Sequence, residues 1–175
     1  MAEAVRLDSR YAAAMADLDE VVKRDSGNAQ ALLTRATVLT IAGDFAAARA
    51  SCMRLHSRAP ALVVQTCLSS VDSVSGKARA GYTALRQALA RAPEADPGIR
   101  IWTVTLLAEM ATRLGDDRAA EAYFREALAY DAADSYLLAA SADSMVDHKP
   151  DPALPHLHLD ITRATAVHRG QTPAL

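Results

Sequence analysis

The chain has 175 residues, 19 basic and 21 acidic, with a formal net charge of −2 and only 5% aromatic side chains. The arginines are dispersed, so there is no basic stripe to neutralise phosphates and a nucleic-acid partner is not expected. No apolar run reaches the roughly 18 residues of a membrane span, no signal peptide is read, and the length suits one domain burying roughly 70% of its unfolded surface.

Apolar residues recur at three-and-four spacing along most of the chain, and no strand-like alternation is sustained. Residues 1–28 read as a partial first repeat. Tyr11, Ala14, Leu18 and Val21 form the stripe of its second helix, preceded by a short helix that begins almost at Met1. Residues 29–61 form a complete unit. Leu32, Ala36 and Leu39 make one buried stripe, and Gly43 ends that helix by taking a positive φ. Asp44 then caps a second helix carrying Phe45, Ala48, Cys52 and Leu55, which Pro60 stops.

Residues 62–98 hold the next pair, with Val64, Leu68 and Val71 in its first helix. Its end is an insertion at 94–98, rich in turn formers and predicted as loop. Residues 99–133 form a further unit, with Trp102 near its start. Residues 134–168 read as a degenerate capping repeat. That repeat opens at an N-cap, Asp134, and continues through Tyr136, Leu138, Ala142 and Met145. Two prolines occupy its turn, and a weak helical pattern runs through Leu157, Ile161 and Ala164. Residues 169–175 are a tail.

The units share a register. Ala14, Ala48, Gly81 and Ala120 are 34, 33 and 39 residues apart, and Leu18, Cys52, Leu85 and Phe124 keep the same intervals. So do Val21, Leu55, Ala88 and Ala127. Columns held over more than a hundred residues predict an all-α helical solenoid, in which each pair covers the oily side of the one before.

A unit near 34 residues with Leu32, Ala36, Leu39, Gly43, Asp44, Phe45, Ala48 and Pro60 in this order resembles a tetratricopeptide repeat. Val104, Leu107, Ala108, Ala111, Gly115, Asp116, Ala120, Phe124 and Ala127 resemble another, and the likeness spans residues 5–146. It departs from the family pattern at Leu32, where tryptophan is frequent, and at Gly81, where alanine is usual. The resemblance implies a right-handed superhelix of antiparallel helix pairs. It implies a protein-interaction scaffold and carries no catalytic residue with it.

In that family the first helix of each pair lines the concave face. The resemblance therefore points to Gln30, Leu33, Thr37 and Thr40, then Gln65, Ser69 and Asp72, then Thr105, Glu109 and Thr112 as a peptide groove. This surface is neutral to acidic. Some family members clamp a C-terminal carboxylate with lysines and asparagines, which are missing here, so no such clamp is expected.

Cys52 lies eight residues before Pro60 and Cys67 seven after it, which places them at one height in helices that turn at the proline. A disulfide would imply a periplasmic or secreted protein. Two buried free thiols acting as small hydrophobes would leave a cytoplasmic one as the default.

His156, His158 and Asp160, with His148 and Asp151, could suggest a metal site, but residues two apart on a helix do not face the same way. A polar, proline-rich cap is the reading adopted, with no metal and no cofactor. The chain has no phosphate loop, no G-x-S-x-G and no H-E-x-x-H, and no histidine lies near Ser69, Ser70, Ser73 or Ser75. The expectation is a non-enzymatic scaffold for a peptide or protein partner. The alternative is a self-associating structural module or a fragment of a larger solenoid, so a homo-oligomer stays open.

Overall fold

A computed structural model describes residues 2–130 and 134–147, with side chains from Arg10 onward apart from residues 143 and 145–147. These residues form eight α-helices and contain no strand. The helices are α1 (Ala2–Arg24), α2 (Ala29–Ile41), α3 (Phe45–Met53), α4 (Ala61–Val74), α5 (Ala78–Ala90), α6 (Pro97–Arg113), α7 (Asp117–Tyr130) and α8 (Ser135–Asp147). A 3-10 turn, Arg54–Ser57, extends α3. The weak helix expected around Leu157 and the tail at 169–175 lie outside the described residues. The chain divides into two compact units, Met1–Ala88 and Leu89–Leu175, with the division inside α5.

The first unit contains α1 to α4 and most of α5. Its core is built from Leu32, Ala36 and Leu39 of α2, Ala48, Cys52 and Leu55 of α3 and its extension, and Val64, Cys67 and Val71 of α4. The alanines matter here as much as the leucines. Ala48 is fully buried and Ala36 nearly so, which lets helices joined by so short a turn pack closely.

Polar side chains tie the same helices at their margins. Arg35 of α2 donates to Asp19 of α1 and to Ser51 of α3, each at 2.8 Å. Arg49 of α3 pairs with Asp72 of α4. Ser69 of α4 donates to the Gly81 carbonyl of α5 at 3.0 Å.

A disulfide joins Cys52 on α3 to Cys67 on α4, with the Cα atoms 5.6 Å apart. Cys52 is fully buried and Cys67 almost so, and both sit within the apolar core.

In the second unit α8 lies against α7. Leu138 packs with Ala108 and Phe124, while Leu137 packs with Val104 and Ala127. Arg100 of α6 donates through Nε and Nη2 to Glu126 Oε1 of α7, at 3.0 and 2.7 Å. That bond raises the arginine's already high pKa.

One turn design is used three times. Gly43, Gly76 and Gly115 take φ of 81°, 81° and 75°, and each is followed by an amide that bonds back five residues. The bonds run from Asp44 N to Leu39 O, Lys77 N to Asp72 O, and Asp116 N to Ala111 O, at 2.9, 3.2 and 3.0 Å. This geometry satisfies carbonyls that the helix end leaves orphaned, and it needs a residue at home in the left-handed region. Asp44 and Asp116 then cap the next helix, accepting from Ala47 N and Ala119 N at 3.0 and 3.1 Å.

Three local expectations change. The short helix expected before Tyr11 is not separate, because α1 is one continuous helix of 23 residues with no glycine or proline to break it. Its stripe toward α2 uses Met15, Leu18 and Val22, whereas Val21 is 41% exposed. The insertion predicted as loop at 94–98 already contains the start of α6. Pro97 occupies the first helical turn, where its fixed φ suits the helix and its missing N–H costs nothing, and Asp96 accepts from Gly98 N at 2.9 Å.

Nothing lies within 4 Å of a Cβ built on Gly43 or Gly115, so a substitution there costs only backbone conformation. Gly43→Ala and Gly115→Ala are each expected to lower unfolding free energy by about 1–2 kcal/mol in urea melts. The buried disulfide gives a second expectation: unfolded, unreduced protein takes up no thiol label. Replacing both cysteines by alanine should lower stability by about 3 kcal/mol, the loop-closure value for a span near 15 residues.

Candidate functional site

The second unit holds a cleft of about 370 Å³ between α6 and α8, with α7 as its floor. Glu109, Thr112 and Arg113 come from α6, Phe124 from α7, and Tyr136, Ala139, Ala140 and Ser144 from α8. Local sequence explains the opening. Leu137 and Leu138 hold α8 against the core, while the next two residues are alanines, too short to fill the space towards α6.

α8 is started by Asp134, whose Oδ1 accepts from Tyr136 N at 2.8 Å and Leu137 N at 3.1 Å. That cap places Tyr136 on the rim of the cleft.

Two polar contacts bridge the walls. The Tyr136 hydroxyl donates to Glu109 Oε1 at 2.5 Å. Thr112 Oγ1 and Ser144 Oγ are 2.9 Å apart. Thr112 gives its own proton to Ala108 O at 3.1 Å, so Ser144 is the donor between the two hydroxyls. Glu109 Oε2 faces Arg113 Nη2 at 3.7 Å, an ion pair too long for a hydrogen bond.

The Tyr136 phenol is pushed up to about 12. Its bond to the Glu109 carboxylate is the main cause, followed by burial of the hydroxyl and the glutamate's charge, with Arg113 pulling weakly the other way. Because the folded value is raised, the protonated phenol contributes stability below pH about 10, and the contribution is lost as pH climbs towards about 12.

The residues expected to line a groove separate into distinct places. Glu109 and Thr112 line the cleft, and Thr112 is half-buried there. Thr105 does not join them. It is 6% exposed and donates to Ile101 O at 2.8 Å, because α6 is buried on nearly every side from Thr103 to Ala108.

In the first unit Gln30 and Thr37 are exposed, and Leu33, Thr40, Gln65 and Asp72 are half-buried. Leu33 packs on the core. Thr37 and Thr40 spend their hydroxyls on Leu33 O and Ala36 O, at 3.1 and 2.7 Å. Ser69 corrects the expectation more sharply. It is fully buried, donating to Gly81 O while accepting from Gln65 Nε2 at 3.1 Å, so it holds a helix crossing. Asp72 is neutralised by Arg49.

Tyr136 is the site residue that sequence reasoning placed differently, as part of an apolar stripe. It is 62% exposed, and Leu137 beside it is the buried one. A tyrosine two residues after an N-cap aspartate, in a chain with few aromatics, is the signal that was available.

Among the described residues no cluster of three or more histidine, cysteine or carboxylate side chains is placed to hold a metal, and no helix is long and apolar enough to cross a membrane. His148, Asp151, His156, His158 and Asp160 lie outside the described residues.

A ¹³C-tyrosine NMR titration is expected to give Tyr136 a midpoint near 12, and Glu109→Gln should pull that midpoint back towards about 10. A midpoint unmoved by Glu109→Gln would remove the carboxylate as its cause.

No family model matches the chain, and neither does any curated protein or solved structure.

Proposed function

We propose that this chain is a tetratricopeptide-like solenoid, a right-handed superhelix of antiparallel helix pairs. It acts as a non-enzymatic scaffold that presents a neutral-to-acidic groove to a peptide or protein partner. One observation carries the reading: a cleft of about 370 Å³ opens between two first helices of successive pairs, α6 and α8. Its wall carries Glu109 and Thr112, two of the residues assigned to the ligand-facing side from the repeat register alone. An apolar floor with a few convergent polar groups is the usual form of a binding site. The recurrence of the glycine turn at Gly43, Gly76 and Gly115 supports a common repeat behind it.

The fully buried Cys52–Cys67 bond favours an oxidising compartment, periplasmic or extracellular, over the cytoplasm.

A second reading, a self-associating module or part of a longer solenoid, is favoured by one observation on α1. There Val22 packs onto the core, and its neighbour Val21 is left as an apolar side chain 41% exposed, available to a further surface.

Ala139→Arg tests the choice, because Ala139 is exposed yet lines the cleft. The wild-type chain is expected to sediment as a monomer and to capture partners that the Ala139→Arg chain loses. An arginine at exposed Ala122 of α7 should leave capture intact. A concentration-dependent dimer whose captured proteins ignore Ala139→Arg would favour self-association instead.

A further inference from the structure

The cleft carries chemistry that narrows its ligand. Resting on the scaffold reading above, we propose that the α6–α8 cleft takes a basic peptide segment, with one lysine or arginine side chain seated against Glu109.

The carboxylate is divided in its use. Oε1 accepts from Tyr136, but Oε2 has no donor closer than the 3.7 Å Arg113 contact among the described residues. The Arg113 side chain is 45% exposed, and an exposed pair at that distance is worth little. A ligand cation within hydrogen-bonding distance of Oε2 would gain a charge-assisted bond that the protein itself does not make. Phe124, Ala139 and Ala140 supply the apolar surface along which the methylene stem of a long cationic side chain lies well.

Charge along the chain points the same way. Residues 89–175 carry thirteen acidic side chains against eight lysines and arginines. Residues 1–88 carry eleven basic against eight acidic side chains. The unit that holds the cleft is thus the acidic one, which steers cationic segments towards it and repels anionic ones. Among the described residues that line the cleft the cation is Arg113, and Glu109 beside it opposes an acidic ligand.

A randomised heptapeptide library panned on the full chain, and in parallel on Glu109→Gln, reads this directly. Wild-type selections are expected to concentrate lysine or arginine at one position, and the Glu109→Gln selections to lose that preference. The best wild-type peptide should bind about tenfold more weakly to Glu109→Gln, the loss expected for one hydrogen bond to a charged group. Its affinity should fall as salt rises.

Tyr136→Phe separates recognition from helix bridging, since it breaks the same bridge and keeps the carboxylate. It is expected to hold affinity within about threefold, well short of that charged-group loss. A loss as large as that of Glu109→Gln would mean that Glu109 acts only by bridging the helices, and would overturn the proposal. Selected peptides that are acidic or neutral, or indifferent to Glu109→Gln, would overturn it too while leaving the scaffold reading standing. Recovery of no peptide at all would overturn both.

Discussion

Two antiparallel helices joined by a turn of three residues have no freedom to stand apart. Their axes are held close at the turn, so the side chains facing each other near it must be small. Ala36, Ala48, Ala108 and Ala120 meet this demand, each almost wholly removed from solvent. Gly81 is buried where Ser69 bonds its carbonyl. The larger residues, Leu32, Leu55, Leu85, Leu107 and Phe124, then fill the space that close approach leaves around them. Exchange of a small residue for a large one at these points would be felt as overpacking, because a core at this density cannot yield a methylene without displacing its neighbours.

The same constraint decided what could be read from residue order. Columns of small and large residues were visible because close helix crossings demand small side chains and leave larger ones to fill the space around them, and the glycine turns because only a left-handed residue closes them. What stayed hidden depended on neighbours out of register. Ser69 and Thr105 are polar residues in the right phase to face solvent, yet both are buried, and each satisfies its hydroxyl on a backbone carbonyl. A hydroxyl that bonds back to its own helix, as Thr105 does, behaves in packing much like a small apolar group. Pattern alone cannot separate such a serine or threonine from one that waits for a ligand.

Val21 and Val22 illustrate a second limit. Adjacent valines on a helix differ by about 100° in direction, and either fits a stripe with Leu18. The choice belongs to α2, which packs against Val22. The site was legible in a similar proportion. Glu109 and Thr112 follow from the register of α6, whereas Tyr136 and Ser144 required knowing how far α8 is offset along α6. That offset is set by the leucines of α8 and by the Asp134 cap, and no repeat interval encodes it. The cleft exists because those leucines anchor one side of α8 while its alanines leave the other side bare.

The covalent bond between Cys52 and Cys67 ties α3 to α4, the consecutive helices that meet at Pro60. Local opening of a helical unit ordinarily proceeds by one helix lifting away from its neighbour. With α3 and α4 cross-linked through their buried faces, neither can leave without the other. A partly opened form split between these two helices is denied to the chain, and with it the extended segment that a protease would need there.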